Sequence, residues 1–208
     1  MYLELVKKSF KEREPIMKDE LEKVLDIKNR NSLNQTISYM VSFGFLNRFE
    51  NGIYYMPSSN EKFANLKPSI KDIIEKKYLN NYNGIRVGAY LLYKYKFSSQ
   101  VSEYYEILSN NVSTHTRSKK EFLGKVIISY PKFTINKNSS NYIEFLELVK
   151  DIQLSDYQVD VNIKKLSKLY KSMNLNKEKL LEYSKYYKGN RLASIHKYIK
   201  EVIDYEIA

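Results

Sequence analysis

The 208-residue sequence has no cysteine and no tryptophan, only 2 histidines, and just 6 glycines and 4 prolines. Without cysteine there is no disulfide framework, no thiolate zinc site and no thiol nucleophile. His115 and His196 are too few for a dedicated histidine metal site. A nucleotidyltransferase needs a Gly-Ser followed by two carboxylates two residues apart to hold its metals. Neither Gly-Ser nor Asp-x-Asp occurs. Asp151, Asp156 and Asp160 read instead as solvated residues, with a helix N-cap near Val161. The stretch Ser113-Thr114-His115-Thr116-Arg117-Ser118 reads as a polar turn, since a triad is assembled in space and not along the chain. No phosphate-cradling glycine loop is present. The expectation is a protein that is not an enzyme and carries no cofactor and no metal.

Long apolar runs are missing too. None approaches the roughly 18 residues of a membrane span, and the first residues, charged from Glu4 onward, lack the apolar core of a secretory signal. The expected location is cytoplasmic, with no membrane partner. Low glycine and proline together with 43% hydrophobic residues, 20 Tyr and 9 Phe indicate a folded, element-rich chain. Its length suits two domains.

The formal net charge of +11 favours a polyanionic partner. An excess of Lys, Asn, Ile and Tyr over Arg is also what A/T-rich codons produce, so composition alone is a weak pointer. The distribution says more. Residues 1–60 hold 9 Lys and Arg against 8 Asp and Glu, whereas residues 157–200 hold 11 against 3.

The most informative stretch is 30–57. Before it, Leu3, Val6 and Phe10 mark an amphipathic helix over 1–11, Pro15 breaks it, Ile16 suits a short β-bridge, and 18–25 reads as a second helix. The third helix begins near Arg30 or Asn31. Leu33, Ile37, Met40 and Val41 share its core face, so Asn31, Gln35, Ser38 and Ser42 face outward, flanked by Asn34 and Tyr39. Asparagine and glutamine amides can pair bidentately with adenine N6 and N7 in the major groove. Gly44 stops the helix, and the strands 45–49 and 53–56 are joined by an Asn51-Gly52 hairpin turn. This pattern is a winged helix-turn-helix, with Lys18, Arg30, Asn31, Asn34, Gln35, Ser38, Tyr39, Arg48 and Asn51 as its expected DNA contacts.

Residues 58–67 read as a connector. A helix with Ile70, Ile73, Ile74 and Tyr78 inward follows, then a turn at 80–83 and a helix over 84–95. Strands are expected at 103–108 and 125–130, with a shorter one at 133–135. Four helices close the chain, with Val161, Ile163, Leu166, Leu169 and Tyr170 inward in the second of them. Lys164, Lys165, Lys168, Lys171, Lys185, Lys188 and Arg191 form a second basic surface suited to phosphates.

The segments SLNQTISYMVSFGFLNRFENGIYYMP and NGIRVGAYLLYKYKFSSQVSEYYEILSNN, the latter with Gln100 and Asn110, resemble the AbiEi-type antitoxins of bacterial type IV abortive-infection toxin–antitoxin systems. TRSKKEFLGKVIISYPKF resembles that family's basic turn and return strand. The likeness covers roughly 1–135. Family members often carry arginines in the recognition helix where this chain has Asn34 and Tyr39. The resemblance implies a phage-defence antitoxin that represses its own promoter by binding repeats in double-stranded DNA. It also implies that the protein counters a nucleotidyltransferase toxin without a stable complex.

The expected fold is therefore α+β: a winged helix-turn-helix over 1–60, then a mostly helical antitoxin domain over 61–208 with a small sheet at about 101–135 and helices over 141–208. No heptad seam is evident, which favours a monomer. The competing reading is a winged-helix module for protein or RNA interaction with a basic helical surface.

Overall fold

In a computed structural model the chain is α+β, with two small three-stranded sheets among the described residues. The description covers residues 2–63, 66–100, 103–112, 126–152, 159–187 and 190–207. No helix among them is long and apolar enough to cross a membrane. Two compact units result, Met1–Lys77 and Tyr78–Ala208.

The first unit begins with α1 (Tyr2–Ser9), β1 (Ile16–Met17), α2 (Lys18–Leu25) and α3 (Arg30–Ser42), followed by β2 (Asn47–Glu50), β3 (Ile53–Tyr55) and α4 (Ile70–Ile74). The start of α3 is fixed by Asn29, whose side-chain oxygen accepts from the backbone N–H groups of Asn31 at 2.9 Å and Ser32 at 3.0 Å. That oxygen satisfies two of the donors every helix start leaves open. Gly44, at φ 72°, ends the helix in left-handed backbone that a side chain would strain. β3 lies between β1 and β2, antiparallel to both, and a bulge interrupts the register between Arg48 and Glu50. Val6, Ile16, Leu21, Leu25, Leu33, Ile37, Met40, Leu46, Tyr54 and Met56 form the core under these elements.

A smaller cluster of Met17, Ile53 and Ile73 draws α4 onto the sheet. Lys76 pairs with Glu14 at 2.7 Å and Glu20 at 3.1 Å, and Lys77 with Glu50 at 2.8 Å. These contacts extend the first unit to Lys77, beyond the boundary expected after residue 60.

The second unit comprises β4 (Gly84–Val87), α5 (Ala89–Lys94), β5 (Tyr105–Ser109), β6 (Val126–Ser129), α6 (Ser140–Asp151), α7 (Val159–Ser172), α8 (Lys177–Ser184) and α9 (Asn190–Ile207). β4 runs antiparallel to β5, and β5 parallel to β6. The helix expected over 84–95 is therefore corrected to a strand, a turn and a short helix. Gly84 sits so close to its neighbours that a Cβ would lie 2.2 Å from the Tyr78 carbonyl oxygen and 2.7 Å from that of Leu108. Gly88, at φ 70°, then turns the chain out of the sheet into α5.

The third strand expected at 133–135 is absent, because the Asn110 side chain takes the hydrogen bonds a strand partner would have taken. Its Nδ2 donates to the Ile135 carbonyl at 2.7 Å, and its Oδ1 accepts from the Ile135 N–H at 3.0 Å.

The four closing helices occur as expected and bury Tyr142, Ile143, Phe145, Leu146, Leu148, Val149, Ile163, Leu166, Leu180, Ile195, Ile199 and Val202 in one core with Val87, Leu91 and Leu108. Val161 is a correction: it is 55% exposed. Asn162, Ile163, Leu166 and Ser167 define the inner face of α7, and position 161 points away from it at 100° per residue.

Candidate nucleic-acid interface

The residues singled out on α3 share its solvent side. Leu33, Ile37 and Met40 are buried beneath it, while Arg30, Asn31, Asn34, Gln35, Ser38 and Tyr39 are exposed above. Ser42 lies on the same side, but its hydroxyl donates back to the Tyr39 carbonyl at 2.8 Å and is occupied there. Arg48 on β2 is exposed, its guanidinium 5.6 Å from the centre of the Tyr54 ring, and Asn51 is exposed at the hairpin tip. Lys18 is half-buried, and its backbone N–H donates to the Gly52 carbonyl at 3.1 Å. That bond joins the start of α2 to the Asn51-Gly52 turn.

Three exposed rings at the end of α3 were not singled out by the sequence reading as a group. Tyr39 packs on Phe43 with ring centres 4.4 Å apart, and Phe43 stacks on Phe45 at 6.3 Å and 16° between planes. Their exposures are 58%, 60% and 37%. The string SFGFL around Gly44 was the available signal, but alternation alone gave no way to tell outward rings from core.

In the second unit Lys164, Lys168 and Lys171 are exposed along α7 at spacings of four and three, one stripe of a helix. Lys165 is exposed too, yet its ammonium donates to the Lys96 carbonyl at 3.0 Å and lies 5.4 Å from the centre of the Phe97 ring. It fastens α7 to the chain after α5. Lys185 is exposed at the end of α8. Lys188 and the Arg191 side chain lie outside the described residues, as do His115, Asp156 and the basic turn over 116–125.

Catalytic geometry is poor by comparison. Ser184 Oγ lies 2.8 Å from His196 Nε2, but it is buried and donates its proton to the Leu181 carbonyl at 2.8 Å. His196 is then the donor to Ser184, the reverse of what a serine nucleophile requires. Asp151 ends α6 and Asp160 falls in the first turn of α7, not at its cap. Among the described residues no three His, Cys, Asp or Glu side chains are grouped to hold a metal.

One charged cluster was missed. Glu147, only 3% exposed, pairs with the Lys150 ammonium and accepts from the Tyr187 hydroxyl at 2.9 Å. Burial, reinforced by the charge of Asp151, pushes the Tyr187 phenol well above its ordinary value. These groups line a cavity of about 760 Å³ with Glu106, Lys132 and Tyr186. In the sequence Glu147 sits between Leu146 and Leu148, and a carboxylate inside an apolar run was the signal for it.

Residues 6–179 match a family described as one of unknown function, DUF6088. The chain belongs to the DUF6088 family. No match was found among curated proteins. In this DUF6088 chain the matched span includes the α3 surface, the β2–β3 hairpin, the Asn110 side chain and Glu147. It ends before Lys185 and Arg191.

Proposed function

We propose that the first unit is a winged helix that reads double-stranded DNA, with α3 as the recognition helix and the β2–β3 hairpin as the wing. The observation that carries this reading is the exposed surface of α3: three amides and a hydroxyl, Asn31, Asn34, Gln35 and Ser38, on a helix whose other side is locked into a core. An ordinary solvent face is dominated by Lys and Glu, whereas amides and hydroxyls can both donate to and accept from base edges. The near-neutral charge of residues 1–60 supports a role for this unit in base choice and register. Bulk affinity then falls to phosphate contacts, for which Lys164, Lys168 and Lys171 on α7 are suited.

The resemblance to AbiEi-type antitoxins supports the biological setting. On this reading the protein is an antitoxin that represses its own promoter by binding repeats, while its second unit counters a nucleotidyltransferase toxin without a stable complex. A band-shift titration of the full chain on the DNA upstream of its own gene, at moderate salt with an unrelated duplex as competitor, tests the DNA half. A sequence-specific shift is expected, and its absence refutes the reading. Co-expression with the product of a neighbouring nucleotidyltransferase gene tests the other half, with rescue of growth as the expected result.

A further inference from the structure

The α3 surface is more selective than a general DNA reader. Its single cation is Arg30, at the first residue of the helix. Guanine is read chiefly by Arg or Lys to O6 and N7, adenine by Asn or Gln to N6 and N7, and thymine by apolar contact with its C5 methyl. Beyond its first residue α3 therefore offers partners for adenine and no cation for guanine.

The ring ridge supplies the complementary half. Tyr39 lies one helical turn past Gln35 on the exposed side, and Phe43 one turn past Tyr39. Phe43 packs against Tyr39 and is itself backed by Phe45, so the outermost ring is held in place from the helix end. Ser42, the polar side chain in this part of the face, directs its hydroxyl onto the Tyr39 carbonyl. What the last turns of α3 present is thus chiefly aromatic ring surface, held in place next to turns that present amides. An A·T pair displays an adenine edge and a thymine methyl side by side in the major groove, and a run of such pairs matches both halves of the surface.

We infer that the DNA taken by α3 is an A·T run, with Asn31, Asn34 and Gln35 on adenine edges and the Tyr39 ring, braced by Phe43, on thymine methyl groups. This rests on the reading of α3 as a recognition helix. It adds the base class and a role for Tyr39 as a specificity-determining contact.

The test selects binding sites from randomised duplexes with the full-length protein at moderate salt, then replaces each thymine of the selected site by uracil, which removes only the methyl. Consecutive A·T pairs are expected in the selected site. Uracil should weaken binding by about fourfold at each contacted position, the factor that burying one methyl-sized group is worth. Tyr39→Ala, a change at an exposed position, should weaken binding and erase the difference between thymine and uracil. A selected site dominated by G·C pairs, equal affinity for thymine and uracil, or a difference that persists in Tyr39→Ala would each overturn the inference while leaving α3 a DNA reader. Absence of any selected sequence would overturn both.

Discussion

The Asn110 side chain and the Ile135 backbone exchange two hydrogen bonds, at 2.7 and 3.0 Å, in the pattern that two residues of neighbouring strands use. A side-chain amide has one donor end and one acceptor end, so it imitates a peptide unit. Asn110 follows directly on β5, and the chain at Ile135 is held beside the sheet without joining it.

Asn110→Ala leaves the Ile135 N–H and carbonyl part-buried without these partners. The expected loss is about 1 to 3 kcal/mol, read as a lower midpoint in urea unfolding. Asn110→Asp should be at least as damaging, since a carboxylate faces the Ile135 carbonyl where an N–H donor stood. An unchanged midpoint in both variants would show that water replaces the clamp.

Tyr95 provides a pH test. Its hydroxyl donates to Glu144 at 2.6 Å, and Glu144 also pairs with Lys94. Burial first, and the Glu144 carboxylate second, push the phenol up to about 12 from an ordinary 10. A phenol that holds its proton more tightly when folded stabilises the fold fully below pH 10, and that contribution is lost as pH rises toward 12. Thermal midpoints should therefore fall across this window. In Tyr95→Phe the fall should be shallower from a lower starting point, and an identical slope would remove Tyr95 from the account.

If the protein binds DNA as proposed, charge reversal at Lys164, Lys168 and Lys171 should reduce that affinity and flatten its dependence on salt, the slope falling by about one for each phosphate no longer neutralised. Lys165→Glu should behave differently. Its ammonium is engaged by Lys96 and Phe97, so the first consequence is a loosened α7, visible in unfolding before it is visible in binding. Salt dependence unaltered in the triple reversal would confine phosphate binding to other parts of the chain.

Gln35→Ala removes one amide from the exposed side of α3 and nothing from its core. If it holds an adenine edge, discrimination at that base pair should fall by about 1 to 3 kcal/mol, with stability unchanged. Arg48→Ala should instead weaken all duplexes alike, as removing a cation from the DNA backbone does. Competition binding with single-base variants of the operator separates the two outcomes.

Glu147→Leu removes the buried partner of both Lys150 and Tyr187. Lys150 keeps Asp151 at 3.7 Å, so the expected loss is that of a buried acceptor and one part-buried ion pair, about 1 to 3 kcal/mol, measurable by chemical unfolding. Glu147→Gln keeps an acceptor for the Tyr187 hydroxyl and should cost less. Equal losses would mean that the acceptor for Tyr187 adds nothing and that the carboxylate charge, absent from both variants, carries the effect.

Elements governed by local chemistry were legible in the sequence. α2 follows from its apolar spacing, the end of α3 from Gly44, and the hairpin from Asn51-Gly52, because caps and turns are decided within a few residues. β4 was not legible. Gly84 and Gly88 suggest close helix packing as readily as a paired strand, and only the partner β5, some twenty residues away in the chain, decides between them. The same limit applies to 133–135, where a distant side chain replaced the expected ladder. Burial direction was readable along α3 but failed at Val161, where the inner face of α7 includes Asn162 and Ser167, residues that an apolar pattern cannot count. The exposed amides were found from spacing alone. Phe43 and Phe45 were not, since nothing local distinguishes a ring that faces water from one that enters a core, and Lys165 gave no sign that its charge is spent on a carbonyl.

The reach of α4 and its following residues back onto the first unit determines how the chain can be divided. A fragment ending at residue 60 would strip Ile73 from Met17 and Ile53 and leave Glu14, Glu20 and Glu50 without the ammonium groups of Lys76 and Lys77. Glu14 and Glu20 would lose the ammonium they share, and Glu50 the one it holds. The shortest piece able to display the α3 surface on a sound footing ends at Lys77, and a protease that cuts within residues 58–67 should nick the chain without freeing the part before the cut.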